Sequence, residues 1–154
     1  MHISSIALAA LAAFTPLASA VGSAVVKNNC DFTTYVYSVG SSPGAEHALD
    51  PGEAYSEGFH RDPVTGGIAL KIFRVPNGIS GPNPQTVFAY NLDDSQIWYD
   101  LSDVFGDPFE GHSLTLSPSD EACGVISWED GKPPAGSQVK VCQSGSDLTL
   151  KLCG

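Results

Sequence analysis

The sequence predicts an all-β domain, a single β-sandwich or flattened barrel closed by two disulfides. Short runs rich in β-branched and aromatic residues follow one another along the chain, and turn signals containing Gly or Pro separate them. No segment after the first twenty residues repeats apolar residues with a helical period. The chain also has four cysteines, an even number that is typical of a small domain stapled by disulfides.

The first twenty residues predict a secretory signal peptide. An apolar region, 6–17, precedes the small-x-small cleavage site Ala18-Ser19-Ala20. A membrane anchor is the alternative, but this apolar run is shorter than the ~20 residues that a membrane span needs. We therefore expect no membrane span and a soluble, secreted protein whose one mature domain comprises residues 21–154.

The predicted strands follow from β-rich runs bounded by turn residues. In chain order they are 24–28, 32–39, 54–59, 67–75, 86–92, 97–101, 112–116, 124–128, 138–142 and 148–152. Apolar and polar residues alternate most clearly in 112–116 and 148–152, as expected for strands with one face in a core. Many short strands at regular spacing predict a sandwich within one domain.

One hairpin can be assigned a register from the sequence. If residues 93–96 form a four-residue loop, Leu92 pairs with Ile97 and Tyr90 with Tyr99. Asp93 and Asp94 are then interpreted as turn residues. The same register places Ala89 directly opposite Asp100, so that a methyl group faces this carboxylate.

The four cysteines allow three disulfide connectivities, and the sequence alone does not choose among them. We favour Cys30–Cys153 with Cys123–Cys142, since the first bond would tie the two ends of the domain together. A zinc site is disfavoured because the chain has no C-x-x-C spacing and no paired histidines. We expect no metal and no cofactor.

Charge excludes some classes of partner. The formal net charge is −10, and no Lys or Arg occurs between Arg74 and Lys132, where ten acids lie. Such a field repels nucleic acid and anionic membranes and favours neutral or cationic partners. Solubility alone would also account for this charge.

The run from Ile97 to Glu110 combines acidic and aromatic residues beside turn formers. On a strand, Trp98, Asp100 and Ser102 would share one face, because side chains alternate with period two. An aromatic ring beside a carboxylate suits a sugar, which has an apolar face and a rim of hydroxyl donors. An ordinary strand that ends in an acidic loop is the alternative. The predicted ligand-binding residues are Trp98, Asp100, Ser102, Asp103 and Asp107.

Glycoside hydrolysis is the enzymatic alternative. It needs two carboxyl groups on opposite sides of one bond, and Asp100 could form such a pair with Asp103, Asp107 or Glu110. The methyl group of Ala89 opposite Asp100 weakens this case. A G-x-S-x-G match at 40–44 is interpreted as a turn, because Pro43 after the serine has no N–H for an oxyanion hole.

Several of these segments together resemble the thaumatin-like superfamily. Within it they are most similar to the small fungal branch, the Blastomyces yeast-phase-specific protein family and the related conidial cell-wall proteins. The segments are Val26-Lys27-Asn28-Asn29-Cys30, Leu49-Asp50-Pro51-Gly52-Glu53, the run from Tyr99 to Phe109, and Cys123. The resemblance implies a compact thaumatin-like β-sandwich stapled from its first strand to its C-terminus.

The resemblance also bears on activity. Larger members of the superfamily carry an acidic cleft, and some bind or cleave β-1,3-glucan. Of three cleft acids, one matches Asp100, whereas the other two positions hold Ala89 and Phe105. We therefore expect a secreted, non-catalytic, monomeric protein of the fungal cell wall or surface that binds a cell-wall glycan or a host extracellular protein and takes part in cell-wall remodelling. A weak endo-β-1,3-glucanase and a secreted effector are the alternatives.

Overall fold

The computed structural model describes residues 20–154, which form two facing β-sheets. The predicted all-β sandwich is confirmed: one 3-10 turn, Gly78–Ser80, is the single helical element among residues 20–154. The predicted signal peptide lies outside the described residues except for Ala20.

The first sheet has five strands in the order β4-β1-β11-β8-β9. These are Ala54–Gly58, Ser23–Asn28, Leu148–Leu152, Leu114–Pro118 and Ile126–Trp128. β1 and β11 run parallel, with Val26 in register with Leu150, whereas the other neighbours are antiparallel. The first and last strands of the domain therefore lie side by side in the middle of one sheet.

The second sheet has six strands in the order β10-β7-β6-β5-β2-β3, and every pair is antiparallel. These are Lys140–Gln143, Gln96–Val104, Gln85–Asp93, Ile68–Phe73, Thr34–Val39 and His47–Leu49.

The core lies between the sheets and follows from the alternation of each strand. On β7, Ile97, Tyr99 and Leu101 are buried, whereas the residues between them face outward. β8 and β11 contribute leucines from the opposite sheet, at 114, 116, 148, 150 and 152, all fully buried. Period-two patterning thus decides which face of each strand packs inward.

The structure contains the favoured disulfide pairing. Cys30 is bonded to Cys153, which joins the residues just after β1 and β11. Cys123 is bonded to Cys142, which ties the loop before β9 to β10 at the edge of the other sheet. One bond therefore closes the ends of the domain, and the other crosses between the two sheets.

All ten predicted strands correspond to observed strands, but β3 was not predicted. Its residues include no β-branched residue and no Phe, Tyr or Trp, whereas the equally short β9 contains Ile126 and Trp128. The predicted hairpin register is confirmed, with Leu92 opposite Ile97 and Ala89 opposite Asp100. The four-residue loop was wrong, since Asp93 pairs with Gln96 and leaves a two-residue turn. Asp94 occupies this turn with a left-handed φ of 50°, a conformation that aspartate tolerates better than most residues.

The outer face of the six-stranded sheet is covered over only part of its area. The segment after β5 folds back across it, so that Gly78 lies directly on the ring of Phe73. Phe73 also packs edge-on against Tyr37, and both side chains are buried although they face away from the core. The other half of this face, toward β7 and β10, is open to solvent.

Candidate functional site

The open half of the six-stranded sheet carries the predicted side chains of β7. Trp98 and Asp100 lie on the outer face, and Ser102 follows on the same face one step further along. The Trp98 side chain is 41% exposed, whereas the neighbouring Tyr99, which faces the core, is 1% exposed. The strand thus buries one aromatic residue and presents the next one to solvent.

A row of small side chains runs from Asp100 across the neighbouring strands. Asp100 on β7 is in register with Ala89 on β6, Ala89 with Ala69 on β5, and Ala69 with Val39 on β2. Because the two middle positions are alanines, this row forms the floor of a groove that crosses the strands. The groove has a volume of about 500 Å³.

Polar groups border this alanine floor. Asn91 is in register with Trp98, and Lys71 also lines the groove. Asp100 Oδ1 accepts a hydrogen bond from the N–H of Leu101 at 2.9 Å. No hydrogen bond within residues 20–154 engages its Oδ2. The groove therefore combines an exposed indole with a carboxylate oxygen, an amide and an ammonium group.

Asp62 fixes the wall at the far end of the groove. Its Oδ2 accepts hydrogen bonds from the backbone N–H and the hydroxyl of Ser41, and its Oδ1 from the N–H groups of Val64 and Thr65 at 2.9 and 2.7 Å. These amide bonds, with that of Thr65 foremost, lower the pKa of the Asp62 carboxyl. Gly40 packs so closely against Asp62 that a Cβ would lie 2.4 Å from its carboxyl oxygen. Two loops are thereby clamped together beside the groove.

The predicted acids do not meet in this groove. Asp103 lies three residues beyond Asp100 and therefore points to the other face of the sheet. There its Oδ1 accepts a 2.6 Å hydrogen bond from the hydroxyl of the buried Thr86. Burial, together with the neighbouring Asp107 carboxyl, raises the pKa of Asp103 to about 7 against the opposing effect of the Thr86 bond. Glu110 forms an ion pair with Lys132 at 2.5 Å.

Of the five predicted ligand-binding residues, the structure thus brings Trp98, Asp100 and Ser102 to one face and places Asp103 and Asp107 elsewhere. Asn91 and Lys71 were not predicted as site residues. The hairpin register already placed Asn91 opposite Trp98 and was the signal for it. No such signal existed for Lys71, because no short turn connects β5 to β6 and the register between these strands could not be predicted from the sequence.

A metal site and a membrane span remain to be considered for residues 20–154. Asp120, Cys123 and Cys142 form a cluster whose side-chain atoms are close enough together to hold a metal ion. The two sulfurs of this group are joined in a disulfide and so offer no thiolate ligands. No helix in residues 20–154 is long and apolar enough to span a membrane.

Solved structures share this architecture. The protein elicitor MoHrip2 from Magnaporthe oryzae superposes with a TM-score of 0.71 and 26% identity, over 86% of this chain and 99% of the elicitor. The thaumatin-like xylanase inhibitor TLXI superposes with a TM-score of 0.59 and 16% identity, over 85% and 99% of the two chains. This second likeness concerns the fold alone.

Sequence comparisons agree with the fold. An antigenic thaumatin-like protein of Arthroderma benhamiae is 32% identical, over 96% of this chain and 80% of the relative. The secreted thaumatin-like protein calA of Emericella nidulans is 23% identical, over 96% and 91%. The family model described as Blastomyces yeast-phase-specific protein matches residues 11–154. The chain therefore belongs to the Blastomyces yeast-phase-specific protein family, a fungal family of thaumatin-like proteins.

Proposed function

We propose that this protein is a secreted, non-catalytic component of the fungal cell wall or surface that binds a wall glycan in the groove beside Trp98. The names of its relatives, one called antigenic and one called secreted, support export and surface exposure. The observation that carries the proposal is the 41% exposed Trp98, which adjoins Asp100 on an open sheet face with an alanine floor.

The shape of the groove suits a flat ring. Neighbouring strands lie about 4.8 Å apart, so the row from Asp100 to Val39 crosses three spacings, or about 14 Å. Ala89 and Ala69 add only methyl groups to this floor. A pyranose ring can therefore stack its apolar face on the indole of Trp98 and place its hydroxyl groups against polar side chains.

The polar groups around the groove can orient a bound sugar. Asp100 Oδ2 can accept a hydrogen bond from a sugar hydroxyl, and the Lys71 ammonium can donate one. Asn91 can do both, since its side chain carries an amide oxygen and an NH₂ group. A small number of placed polar groups around an apolar surface is typical of small-ligand sites.

The arrangement favours binding over hydrolysis. A glycosidase needs an acid and a second carboxylate about 5–9.5 Å apart on the two sides of one bond. The position across from Asp100 holds the methyl group of Ala89. Asp103 lies behind the sheet, where Thr86 binds it.

A binding assay on insoluble β-1,3-glucan and on chitin tests the proposal. Wild-type protein should sediment with at least one polymer, and Trp98→Ala should lose most of this retention. Phe105→Ala is the matched control, since Phe105 is an exposed aromatic residue beyond the other end of β7. Retention that is absent for the wild type, or equal for Trp98→Ala and Phe105→Ala, would contradict glycan binding in this groove.

A host extracellular protein is the second candidate partner. Val141 pairs with Trp98 and is 38% exposed, and Val139 beside the groove is 51% exposed. These side chains extend the apolar surface to the free edge of the sheet, as in a protein-binding patch. The solved elicitor structure supports this alternative. Capture of a host protein that survives excess soluble glucan but is lost in Val141→Asp would favour it over glycan binding.

A further inference from the structure

The alanine floor of the groove has longer side chains on both sides. Ala69 and Ala89 are partners across β5 and β6, and both lie partly exposed on the outer face of the sheet. On one side of them, two residues further along the strands, Asn91 and Trp98 form the next pair on this face. On the other side lies Lys71, two residues beyond Ala69 on β5. The two alanines therefore form the bottom of a trough.

This trough crosses the strands and does not follow them. Its lining residues come from β2, β5, β6 and β7 and extend to Val139 just before β10, whereas on β6 and β7 they cover only residues 89–91 and 98–100. Neighbouring strands lie about 4.8 Å apart, so the distance from β2 to β7 is about 14 Å. Three residues along a strand cover only about 7 Å. A ligand that fills the trough therefore has its long axis across the strands.

The two ends of the trough differ in chemistry. At the β2 end, Asp62 accepts hydrogen bonds from the N–H and the hydroxyl of Ser41 at 2.9 and 3.0 Å and from the N–H of Thr65 at 2.7 Å. At the β7 end, the exposed ring of Trp98 stands beside Asp100. One end is thus a wall of two loops held together, and the other presents an indole and a carboxylate.

The length between these ends matches three sugar residues. A pyranose ring with its glycosidic oxygen spans about 5 Å, since it is built from single bonds of about 1.5 Å. One ring therefore covers one strand spacing. The first ring stacks on Trp98, the second passes over Ala89, and the third lies over Ala69. No ion pair within residues 20–154 involves the Lys71 ammonium, so it can donate hydrogen bonds to the hydroxyl groups of the third ring.

We propose that the groove has three subsites for consecutive residues of one linear glycan, counted from Trp98, and that the small side chain of Ala69 admits the third residue. This inference rests on the proposed function and adds the length and direction of the bound glycan. A larger side chain at position 69 would fill the third subsite and leave the first two open. The same change at Ala89 would interrupt the trough in its middle. Position 69 therefore sets the length of glycan that is recognised.

Calorimetric titration with oligosaccharides of increasing length tests the number of subsites. The probes are β-1,3-gluco-oligosaccharides and chito-oligosaccharides of two to six residues. In the series that binds, the affinity should rise about tenfold from the disaccharide to the trisaccharide, since the third ring adds contacts with Ala69 and Lys71. From three to six residues it should rise only about fourfold, the number of ways in which a hexasaccharide can place three consecutive residues in the groove. Equal rises for every added residue, or no rise from two to three, would overturn the three subsites.

Two variants separate the third subsite from the first. Ala69→Leu should bind the disaccharide within about twofold of the wild type and bind the trisaccharide no more tightly than the disaccharide. Lys71→Met keeps a long side chain without the ammonium group and should lose part of the same gain. Thr115→Leu places an extra leucine on the outer face of β8, in the other sheet, and should behave like the wild type. Thermal unfolding checks that each variant is folded.

The possible results distinguish the subsites from the proposed function. If Ala69→Leu and Lys71→Met weaken the disaccharide and the trisaccharide by the same factor, the third subsite does not exist, although glycan binding itself stands. If no oligosaccharide of either series binds to the wild type, the proposed function fails and the subsites fail with it. Loss of the gain for the trisaccharide in Ala69→Leu, with the disaccharide unaffected, supports the assignment of Ala69.

Discussion

Asp100 on β7 lies directly across from Ala89 on β6, so the carboxylate of the groove faces a methyl group. Cβ atoms of such cross-strand partners are about 5 Å apart, a separation at which a second acid in place of Ala89 could reach a shared substrate. The proposed preference for binding over hydrolysis rests on this methyl group, which stands where a second carboxylate could complete a catalytic pair.

The first prediction concerns catalysis on laminarin. Wild-type protein should release no more reducing sugar than Asp100→Asn or a buffer blank, because a lone carboxylate cannot act as both acid and base or nucleophile. A reducing-sugar assay over a range of pH values measures this. A wild-type rate above the blank that disappears in Asp100→Asn would show that a second catalytic group exists.

The second prediction concerns the contact between the sheets. Tyr90, 2% exposed on the six-stranded sheet, donates its hydroxyl hydrogen to Glu57 Oε1 at 2.5 Å, and Glu57 lies on the edge strand β4 of the other sheet. Hydrogen bonds to charged groups contribute about 1.5–3 kcal/mol. A double-mutant cycle of Glu57→Ala and Tyr90→Phe should therefore give a coupling free energy above about 1 kcal/mol in urea unfolding.

Tyr55 provides the comparison for this cycle. Its hydroxyl donates to Glu57 Oε2 at 2.6 Å from the same strand, and the residue is only partly buried. The coupling free energy of Glu57→Ala with Tyr55→Phe should be smaller, because water can replace the bond between Tyr55 and Glu57. If the effects of the two single substitutions at Glu57 and Tyr90 add to within about 0.5 kcal/mol, the hydrogen bond between these residues does not join the sheets.

The third prediction concerns pH and the wall of the groove. The folded-state pKa of Asp62 is lowered by amide donors of Thr65 and Ser41, so its contribution to stability is present above the unfolded value of about 3.9 and is lost as the pH falls through the folded pKa. Asp62→Asn should therefore lower the thermal unfolding midpoint at pH 7. This deficit should shrink below about pH 4, where the Asp62 carboxyl group takes up a proton in the unfolded wild-type chain while its lowered pKa keeps it ionised in the folded one.

Thermal scans from pH 3 to pH 7 measure the Asp62 effect. Asp94→Asn, a change in the exposed turn between β6 and β7, serves as a control. This variant should unfold at nearly the same temperature as the wild type at every pH. A deficit for Asp62→Asn that has the same size at every pH would contradict a role for its charge.

The fourth prediction compares the two disulfides. The Cys30–Cys153 bond spans 123 residues and the Cys123–Cys142 bond 19 residues. Loop-closure entropy gives contributions of about 5 and about 3 kcal/mol. Replacing the first pair by alanine should therefore reduce the free energy of unfolding by more than replacing the second pair. Denaturant unfolding of both variants measures this, and a reversed order would show that native contacts outweigh loop entropy.

Local patterns predicted much of the fold. Apolar alternation located the long strands, and a turn signal fixed the β6–β7 register to the residue, which placed Ala89 opposite Asp100. β3 has no β-branched residue and no Phe, Tyr or Trp, so its composition does not indicate a strand. The cover of Phe73 by Gly78 depends on how a long loop returns across the sheet, and no local rule predicts that.

The candidate site was predictable only along β7 and across the β6–β7 hairpin. Trp98 and Asp100 share a face by period two, whereas the same rule separates Asp103 from Asp100 because their spacing is odd. These acids were grouped because they are close in sequence. On a strand, residues that are close in sequence can still lie on opposite faces of the sheet. Lys71 and the loop held by Asp62 reach the groove through sheet pairing that no sequence spacing encodes.

Glycan binding without hydrolysis is tested most directly by an NMR titration of the protein with a soluble β-1,3-gluco-oligosaccharide and with a chito-oligosaccharide. We expect one of them to shift the indole N–H of Trp98 and the amide signals of Ala89 and Ala69, while the sugar itself stays intact throughout. Signals that stay unchanged in the groove with both sugars, or a sugar that is cleaved during the titration, would contradict the proposed function.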